Sequence, residues 1–318
     1  MNIGIQRDVV KSAERIQPYI RKTPFNQSAS FSKFIDAEVW FKLESLQVTG
    51  SFKARGAINK LLSLTDTERE IGVVSASTGN HGAAVAYGAQ KLGIDCTIYV
   101  PQDSSSVKLE NMRLYEAAIE YYGSDCVDCE AMARDVSAST GKSYISPYND
   151  SYVIAGQGTV GLEIEGQTDK LDTLIISVGG GGLISGIASY LKSIWPNLYV
   201  IGCSPENSAV MIHSISAGKI LDLESKPTLS DGTAGGVEND SITFPICSNL
   251  IDETVLVTEK EIQEAMVLYM EQEHQLLEGA AGTAIAAMLQ KKDNLNRKKI
   301  GVIICGSNIS LDTLRDVI

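Results

Sequence analysis

Apolar segments with the length of strands alternate along this chain with segments of helical periodicity, and this alternation is the strongest constraint on the fold. A first series of strands and helices begins at residue 72 and continues to residue 145. A second series includes the apolar strand 173–178 and ends with the strand 300–305. Such alternation is typical of parallel sheets with helices packed on their faces. We therefore predict an α/β protein, in which residues 220–250 form mostly a long loop.

The composition and charge of the 318 residues exclude several classes of function. A formal net charge of −12 argues against nucleic acid or an anionic membrane surface as the main partner, since both are themselves negatively charged. The apolar runs are too short to cross a membrane. The six cysteines lack the spacing of a disulfide framework, so we expect a cytoplasmic protein without a secretory leader.

Four consecutive glycines follow the predicted strand 173–178 and begin a helix: Gly179, Gly180, Gly181 and Gly182. Without side chains, the backbone amides can contact an anion, and the helix dipole favours negative charge there. The segment lacks the lysine and hydroxyl residue of a nucleotide P-loop, and its glycine spacing departs from the dinucleotide fingerprint. We predict a phosphate-binding loop; a tight turn without a ligand is the alternative.

Lys53 lies just inside the start of a predicted helix, within the segment 49–57, Thr-Gly-Ser-Phe-Lys-Ala-Arg-Gly-Ala. We expect Ser51 to cap this helix through its hydroxyl. The positive end of the helix and partial burial both disfavour an ammonium group, so we expect Lys53 to have a lowered pKa and to act as a nucleophile or base. A solvated surface lysine is the alternative.

Three further segments follow strands or begin helices, where α/β proteins bind ligands. Residues 75–82, Ser-Ala-Ser-Thr-Gly-Asn-His-Gly, offer hydroxyls, an amide and backbone N–H groups for a carboxylate or phenolate, although a plain helix cap uses the same residue types. Cys305 begins the segment Cys-Gly-Ser-Asn, where a neutral thiol could face a ring nitrogen or serve as a small core residue. We interpret Glu278, before a helix of small residues, as a helix cap.

Segments 49–57, 75–82, 177–186 and 305–308, in this order and at these separations, resemble those of the pyridoxal-phosphate-dependent threonine/serine dehydratase family, which includes serine racemases. A hydroxyectoine-pathway dehydratase is one candidate relative within it. The resemblance runs from about residue 15 to the C-terminus and implies fold type II, similar to the β subunit of tryptophan synthase. It implies two domains, each a mostly parallel sheet flanked by helices, and usually a homodimer. We expect residues 72–149 to form the small domain, and residues 1–71 with 150–318 the large cofactor-binding domain.

The resemblance assigns the cofactor contacts residue by residue. It implies that Lys53 bonds to pyridoxal 5'-phosphate as a Schiff base and that Phe52 packs against the ring. The glycine loop 179–182, with the amide of Leu183, is expected to hold the phosphate. Cys305 is expected to face the pyridine nitrogen of the cofactor.

The same resemblance assigns the second loop to the substrate and the cofactor oxygen. Asn80 is expected to contact the phenolic oxygen of the cofactor. The substrate carboxylate is expected to lie among five residues: Ser77, Thr78, Gly79, Asn80 and His81. The segment 230–240 is expected to build part of the pocket for the substrate side chain.

The predicted chemistry depends on the partner of the pyridine ring. Cys305 is neutral, so a carbanion at the substrate α-carbon should be short-lived, which favours loss of a β-hydroxyl. The resemblance therefore implies that Lys53 acts as the base in dehydration and deamination of a β-hydroxy amino acid, such as L-threonine or L-serine, to a 2-keto acid and ammonia. Racemisation is the nearest alternative, with Thr78 standing where racemases of this family carry a serine as the acid. A non-catalytic protein that binds phosphate or the cofactor is the other.

We predict no metal site. Ser204 stands where the resemblance implies a glutamate ligand, and Ala209 and Val210 stand where it implies an aspartate. Cys126 and Cys129 form a CxxC pair, but no nearby pair supplies the two further ligands that zinc needs. Acidic neighbours would also raise the pKa of these thiols instead of activating them.

Overall fold

The computed structural model describes residues 3–104, 106–124 and 126–318, and its strands form two separate sheets. The larger sheet has the strand order β1-β2-β10-β7-β8-β9, and its strands are β1 (Phe25–Gln27), β2 (Glu38–Leu43), β7 (Thr173–Ser177), β8 (Tyr199–Pro205), β9 (Glu253–Val257) and β10 (Lys299–Ile304). The smaller sheet has the order β5-β4-β3-β6, and its strands are β3 (Val73–Ala76), β4 (Cys96–Val100), β5 (Ala118–Tyr121) and β6 (Ser143–Tyr144). Only β1 and β2 pair antiparallel among these described strands. The predicted α/β class is confirmed.

Helices connect the strands and cover the sheets. Their bounds are α1 (Ile3–Ile16), α2 (Ala29–Ile35), α3 (Lys53–Ser63), α4 (Asp66–Ile71), α5 (Asn80–Leu92), α6 (Ser106–Leu114), α7 (Cys126–Thr140), α8 (Ser151–Glu165), α9 (Gly182–Ile194), α10 (Val210–Ala217), α11 (Thr243–Leu250), α12 (Glu259–Glu273), α13 (Gly279–Gln290) and α14 (Leu311–Val317). Among the described helices, none has both the length and the apolar character that a membrane span requires.

The central strands of the larger sheet, β10 and β7, are almost entirely buried and apolar. Parallel strands with this composition are covered on both faces, and here small and aliphatic side chains of α13 belong to the same core. The carboxyl ends of parallel strands meet at one edge of a sheet, so the chain leaves β7 and β10 at the same edge. The segments that follow these strands therefore lie close together.

Two elements differ from the sequence prediction. Ser51 does not cap α3: its backbone pairs with Gly306 in an isolated bridge, and Phe52 precedes the helix without a side-chain capping bond. The segment 220–250 is mostly loop, as predicted, but its last eight residues form α11. Helix α11 packs on α9 and α10, and these tertiary contacts stabilise a short segment whose own sequence carries a weak helical signal.

Helices α3 and α8 make an unusually close backbone contact. A Cβ on Gly156 of α8 would lie 2.5 Å from the carbonyl oxygen of Arg55 in α3, so only glycine allows the two helices to approach this far. Helix α3 carries Lys53 as its first residue. The glycine contact therefore helps to set the position of this lysine.

A buried ion network lies under the same helix. Arg55 has no exposed side-chain surface, and its guanidinium contacts Glu44 and Glu163, each at 2.7 Å. Lys42, also fully buried, contacts Glu163 at 2.6 Å. Burial acts to lower the pKa of Arg55, but the two carboxylates outweigh it and raise that pKa, so the arginine remains charged. The network joins β2, the turn after it, α3 and α8.

We predict that Arg55→Leu lowers the free energy of unfolding by about 3–5 kcal/mol, because it leaves Glu44 buried without its partner. Urea unfolding followed by circular dichroism measures the change. Arg315→Leu is the control, because Arg315 is 72% exposed and pairs with exposed Asp312; it should cost less than about 1 kcal/mol. Equal effects of the two variants would contradict a stabilising role for the network.

Candidate functional site

A single pocket collects segments from both sheets at the ends of their strands. It lies where α3, α5, α9 and α13 begin, between the segment after β6 and the segment after β10. Its lining comprises Phe52, Lys53, Asn80, Pro147, Tyr148, Ser177, Gly179, Gly180, Gly181, Gly182, Leu183, Gly232, Thr233, Glu278, Ala280 and Cys305. All of the residues predicted to contact a cofactor therefore line one pocket. They come from four segments that are far apart in the sequence.

The glycine loop packs so closely that side chains are excluded from it. A Cβ on Gly180 would lie 2.4 Å from the ring of Tyr148, and a Cβ on Gly179 would lie 2.7 Å from the carbonyl oxygen of Thr233. Gly181 has a φ of +83°, which favours glycine, and it precedes the first residue of α9. The loop thus presents its backbone amides and the positive end of α9 to the pocket, which suits an anion such as phosphate.

Lys53 places its amine inside the pocket. Its Nζ donates a hydrogen bond of 3.0 Å to the carbonyl oxygen of Pro147 and lies 5.3 Å from the centre of the Phe52 ring. As the sequence predicts, burial lowers the pKa of Lys53, here to about 8. A neutral amine is a nucleophile, so this lysine is chemically the most reactive group among the lining residues.

Asn80 is the first residue of α5, and its amide is held in a hydrogen-bonded row. Its Nδ2 donates to both carboxylate oxygens of Glu278 at 2.9 Å, and its Oδ1 accepts from Nδ2 of Asn308 at 2.6 Å. These bonds fix the orientation of the amide. With its amide held in this way, Asn80 lines the pocket.

The other residues predicted to bind a substrate carboxylate do not line this pocket. Ser77, Thr78 and Gly79 form the loop before α5, with Gly79 exposed and open space where its Cβ would be. His81 is buried, its Nε2 donates to the carbonyl oxygen of Ile145 at 2.9 Å, and burial lowers its pKa to about 3. His81 therefore supports the loop as a neutral side chain, and the loop itself remains open beside the pocket.

Cys305 directly follows the central strand β10 and is buried at the base of the pocket. Its thiol lies 3.9 Å from Oε1 of Glu278, and its carbonyl oxygen accepts a hydrogen bond of 3.1 Å from the backbone N–H of Phe52. Burial raises the pKa of this thiol well above its ordinary value. The group is therefore a neutral thiol, as the sequence predicts.

Glu278 lines the pocket, but it is not the helix cap that the sequence predicts. It precedes α13 but makes no capping bond; its carboxylate turns into the pocket and accepts hydrogen bonds from Asn80 and from the backbone N–H of Asn308. Burial raises its pKa to about 7. Gly306 makes room for it, since a Cβ there would lie 2.6 Å from the carboxylate. The signal in the sequence was an acid followed directly by glycines and alanines. These small side chains allow close packing around the carboxylate of Glu278.

The described residues contain no group of three or more histidine, cysteine or acidic side chains that could hold a metal ion. Ser204 is buried and its hydroxyl donates to the carbonyl oxygen of Val178 at 2.6 Å. In the CxxC pair, Cys126 is exposed, whereas Cys129 is buried and its thiol donates to the carbonyl oxygen of Tyr122 at 3.1 Å. The two cysteines thus differ in environment.

The fold and the pocket define a class of enzyme that binds a phosphorylated cofactor beside a reactive lysine, and comparison with known proteins agrees. The family model for pyridoxal-phosphate dependent enzymes matches residues 16–306. The L-threonine ammonia-lyase of Thermotoga maritima is 38% identical over 310 residues, which cover 97% of this chain and 77% of that protein. The chain belongs to the family of pyridoxal-phosphate dependent enzymes.

Two solved structures have the same fold. Threonine deaminase isoform 2 from Solanum lycopersicum superimposes with a TM-score of 0.95 at 30% identity, covering 100% of this chain and 93% of that chain. Maize serine racemase superimposes with a TM-score of 0.92 at 34% identity, covering 98% and 95% of the two chains. The expected fold type II is confirmed by this likeness.

The residues of the pocket fit pyridoxal phosphate. The glycine loop is a cradle that any Cβ would fill, and its amides suit the phosphate. The amine of Lys53 lies in the same pocket and suits an aldehyde. The buried thiol of Cys305 suits an uncharged contact with a ring nitrogen.

We predict that Glu278→Gln stabilises the protein without cofactor at high pH. The folded-state pKa of Glu278 is about 7, above its ordinary value of 4.5, so the folded state binds this proton more tightly than the unfolded chain. Stability is therefore lost as pH rises from 4.5 to 7. A glutamine cannot ionise, so the variant avoids this loss, and its stability relative to the wild type should rise by up to about 3 kcal/mol between pH 5 and pH 8.

Urea unfolding at the two pH values measures this difference. Glu271→Gln, a change at an exposed acid of α12, is the matched control and should alter neither value by more than about 0.5 kcal/mol. A Glu278→Gln variant less stable than the wild type at pH 8 would mean that the ionised carboxylate stabilises the pocket.

Proposed function

We propose that this protein dehydrates and deaminates a β-hydroxy amino acid, with L-threonine as the first candidate and L-serine as the second, to a 2-keto acid and ammonia. The observation that carries the proposal is the amine of Lys53, with its pKa lowered to about 8, in one pocket with a glycine cradle and a neutral thiol. The likeness to the L-threonine ammonia-lyase of Thermotoga maritima and to tomato threonine deaminase supports this substrate class.

The cofactor contacts in this proposal follow from the lining of the pocket. The amides of the loop 179–182 and of Leu183 would hold the phosphate, and Phe52 would pack against the ring. Asn80 would contact the phenolic oxygen, and Cys305 would face the pyridine nitrogen. When bound, pyridoxal phosphate supplies a conjugated ring that accepts the electron pair left at the substrate α-carbon as its proton departs.

Lys53 would have two roles in the proposal: its amine would hold the aldehyde carbon of the cofactor, and as a free amine it would take the proton from the substrate α-carbon. With a pKa of about 8, roughly one amine in ten is neutral at pH 7, against fewer than about one in a thousand at the ordinary pKa of a lysine. The carbonyl oxygen of Pro147 orients the amine. The neutral thiol of Cys305 favours a short-lived carbanion and therefore elimination.

The open loop before α5 would bind the substrate carboxylate in this proposal. Ser77, Thr78 and Gly79 precede the N-terminus of α5, where backbone N–H groups and the helix dipole favour an anion. Asn80 and His81, the first two residues of that helix, complete the group. Buried His81 holds the loop against the segment after β6 through its bond to Ile145.

Racemisation is the second candidate, and the likeness to maize serine racemase favours it. It requires an acid on the face of the substrate opposite Lys53. Thr78 is the residue that would supply this proton, from a partly buried position in the carboxylate loop. The added methyl group of threonine, compared with serine, makes this role less favourable.

We predict that the wild-type protein reconstituted with pyridoxal phosphate shows the visible absorbance of a lysine-bound cofactor and releases 2-keto acid from L-threonine. Lys53→Ala should lose the absorbance and lower the rate at least about a hundred-fold, because it removes the base. Lys260→Ala, which removes an 81% exposed lysine of α12, is the control and should retain both.

Borohydride reduction followed by peptide mapping would place the cofactor on residue 53. A wild-type protein that stays colourless after reconstitution would contradict the enzyme proposal. D-isomer formed from L-serine faster than keto acid would favour the racemase, and chiral chromatography of the products measures this ratio.

We also propose that the protein is a cytoplasmic homodimer with two domains, residues 72–149 as the small one and residues 1–71 with 150–318 as the large one. The separate smaller sheet supports the division, because its strands all lie within residues 73–144. The acidic charge supports a small-molecule substrate without nucleic acid or membrane partners. Sedimentation equilibrium should give twice the chain mass of 34.2 kDa; the monomer mass would contradict the dimer.

A further inference from the structure

Glu238 lies outside the lining of the pocket, yet three groups converge on it. Its carboxylate accepts a hydrogen bond of 2.6 Å from Nδ2 of Asn149 and contacts Nη2 of Arg134 at 2.7 Å. Its backbone N–H donates to the hydroxyl of Tyr148 at 2.9 Å. The side chain is only 19% exposed, and it is held in place by one hydrogen bond and one ion pair.

The segment that Glu238 holds, residues 147–149, contacts the centre of the proposed site. The carbonyl oxygen of Pro147 accepts the hydrogen bond from Nζ of Lys53. The ring of Tyr148 lies directly against Gly180 of the glycine loop, at a distance that excludes a Cβ there. Three consecutive residues thus join Lys53, the glycine loop and Glu238.

Glu238 is the last residue of a second segment, residues 231–238, which we call the strap. Its residues Gly232 and Thr233 line the pocket, and the backbone of Thr233 packs on Gly179. Asn149 holds the chain just beyond the strap as well, because its Oδ1 accepts a hydrogen bond of 2.9 Å from the backbone N–H of Ile242. The strap and the segment 147–149 therefore contact the glycine loop at successive residues and meet at Glu238.

Arg134 links this junction to the smaller sheet. It belongs to α7, is 43% exposed, and its guanidinium lies over the ring of Tyr144 in β6, 4.3 Å from the ring centre. Because the arginine is partly solvated, salt screens its attraction to Glu238. The shorter bond to Asn149 involves a neutral donor and is less sensitive to salt.

We propose that Glu238 is a positioning residue, which fixes the strap and the segment 147–149 to each other and thereby sets the position of the Lys53 amine and of the glycine loop. This inference rests on the proposed function for its kinetic consequence only. Loss of the carboxylate leaves Asn149 without its acceptor and Arg134 without its ion-pair partner. The segment 147–149 then loses the anchor at Nδ2 of Asn149, and it keeps the weaker restraint from the backbone N–H groups of Glu238 and Ile242.

Hydrogen exchange followed by mass spectrometry tests the coupling on the protein without and with cofactor. Glu238→Ala should speed exchange at least about three-fold both in peptides covering residues 143–150 and in peptides covering the strap. Peptides of α12 should be unchanged. Glu253→Ala is the matched control, because Glu253 is 27% exposed and pairs with Lys291 at 2.6 Å, on the edge strand β9. Faster exchange in the strap alone would overturn the proposal.

Kinetics on the holoenzyme test the positioning of Lys53, with rates expressed per bound cofactor so that unfolded protein does not count. Glu238→Ala and Asn149→Ala should each lower kcat at least about ten-fold, with KM for L-threonine changed less than about three-fold, because a misplaced base slows the reaction more than binding. The double variant should lose less than the sum of the two single losses, since both variants break the contact between Asn149 and Glu238, although Asn149→Ala also removes the bond to Ile242.

Conservative variants separate positioning from general stability. Glu238→Gln keeps an acceptor for Asn149 and should retain at least about a third of kcat, and Arg134→Met should behave alike. In about 1 M salt the wild type should approach the Arg134→Met variant. Glu238→Ala with a wild-type kcat per bound cofactor, or additive losses in the double variant, would overturn the proposal. A wild type that forms no keto acid would overturn the proposed function only, because the exchange experiment would still report on Glu238.

Discussion

The position of Lys53 depends on Arg55, two residues further along α3 and fully buried between Glu44 and Glu163. A buried guanidinium must be matched by carboxylates at close range, so the network allows α3 only one placement between β2 and α8. The glycine contact at Gly156 requires the same placement by sterics. The ion network and the close contact with α8 thus both restrict the position of α3. The first residue of that helix is the lysine whose amine enters the pocket.

Two buried groups near that amine, the thiol of Cys305 and the carboxyl of Glu278, have raised pKa values. Burial keeps the thiol of Cys305 neutral and raises the pKa of Glu278 to about 7. The carboxyl of Glu278 holds Asn80 and Asn308, so an acid that resembled a helix cap organises the polar side of the site. An ionised group at this position would change the electrostatics around a bound ring, which makes the protonation of Glu278 important for the chemistry of the site.

Local patterns carried most of the prediction, and they failed where distant residues decide a conformation. The strand and helix alternation, the glycine loop after β7 and the lysine at the start of α3 follow from periodicity and short-range sterics. Ser51 was expected to cap α3, but its backbone pairs with Gly306, which lies far away in sequence. Pro147 and Tyr148 carry no motif of their own, and only the tertiary structure brings them against Lys53 and Gly180.

The sequence by itself determined the fold class and predicted the phosphate loop and the reactive lysine, because each prediction depends on neighbouring residues and on backbone geometry. Segments 49–57, 75–82, 177–186 and 305–308 also sufficed to indicate the family. Only the tertiary structure decided that these segments line one pocket, that Glu278 faces it, and that Glu238 joins the strap to the segment 147–149. Those facts depend on desolvation and on contacts between residues as far apart in sequence as Phe52 and Cys305, which no local pattern contains.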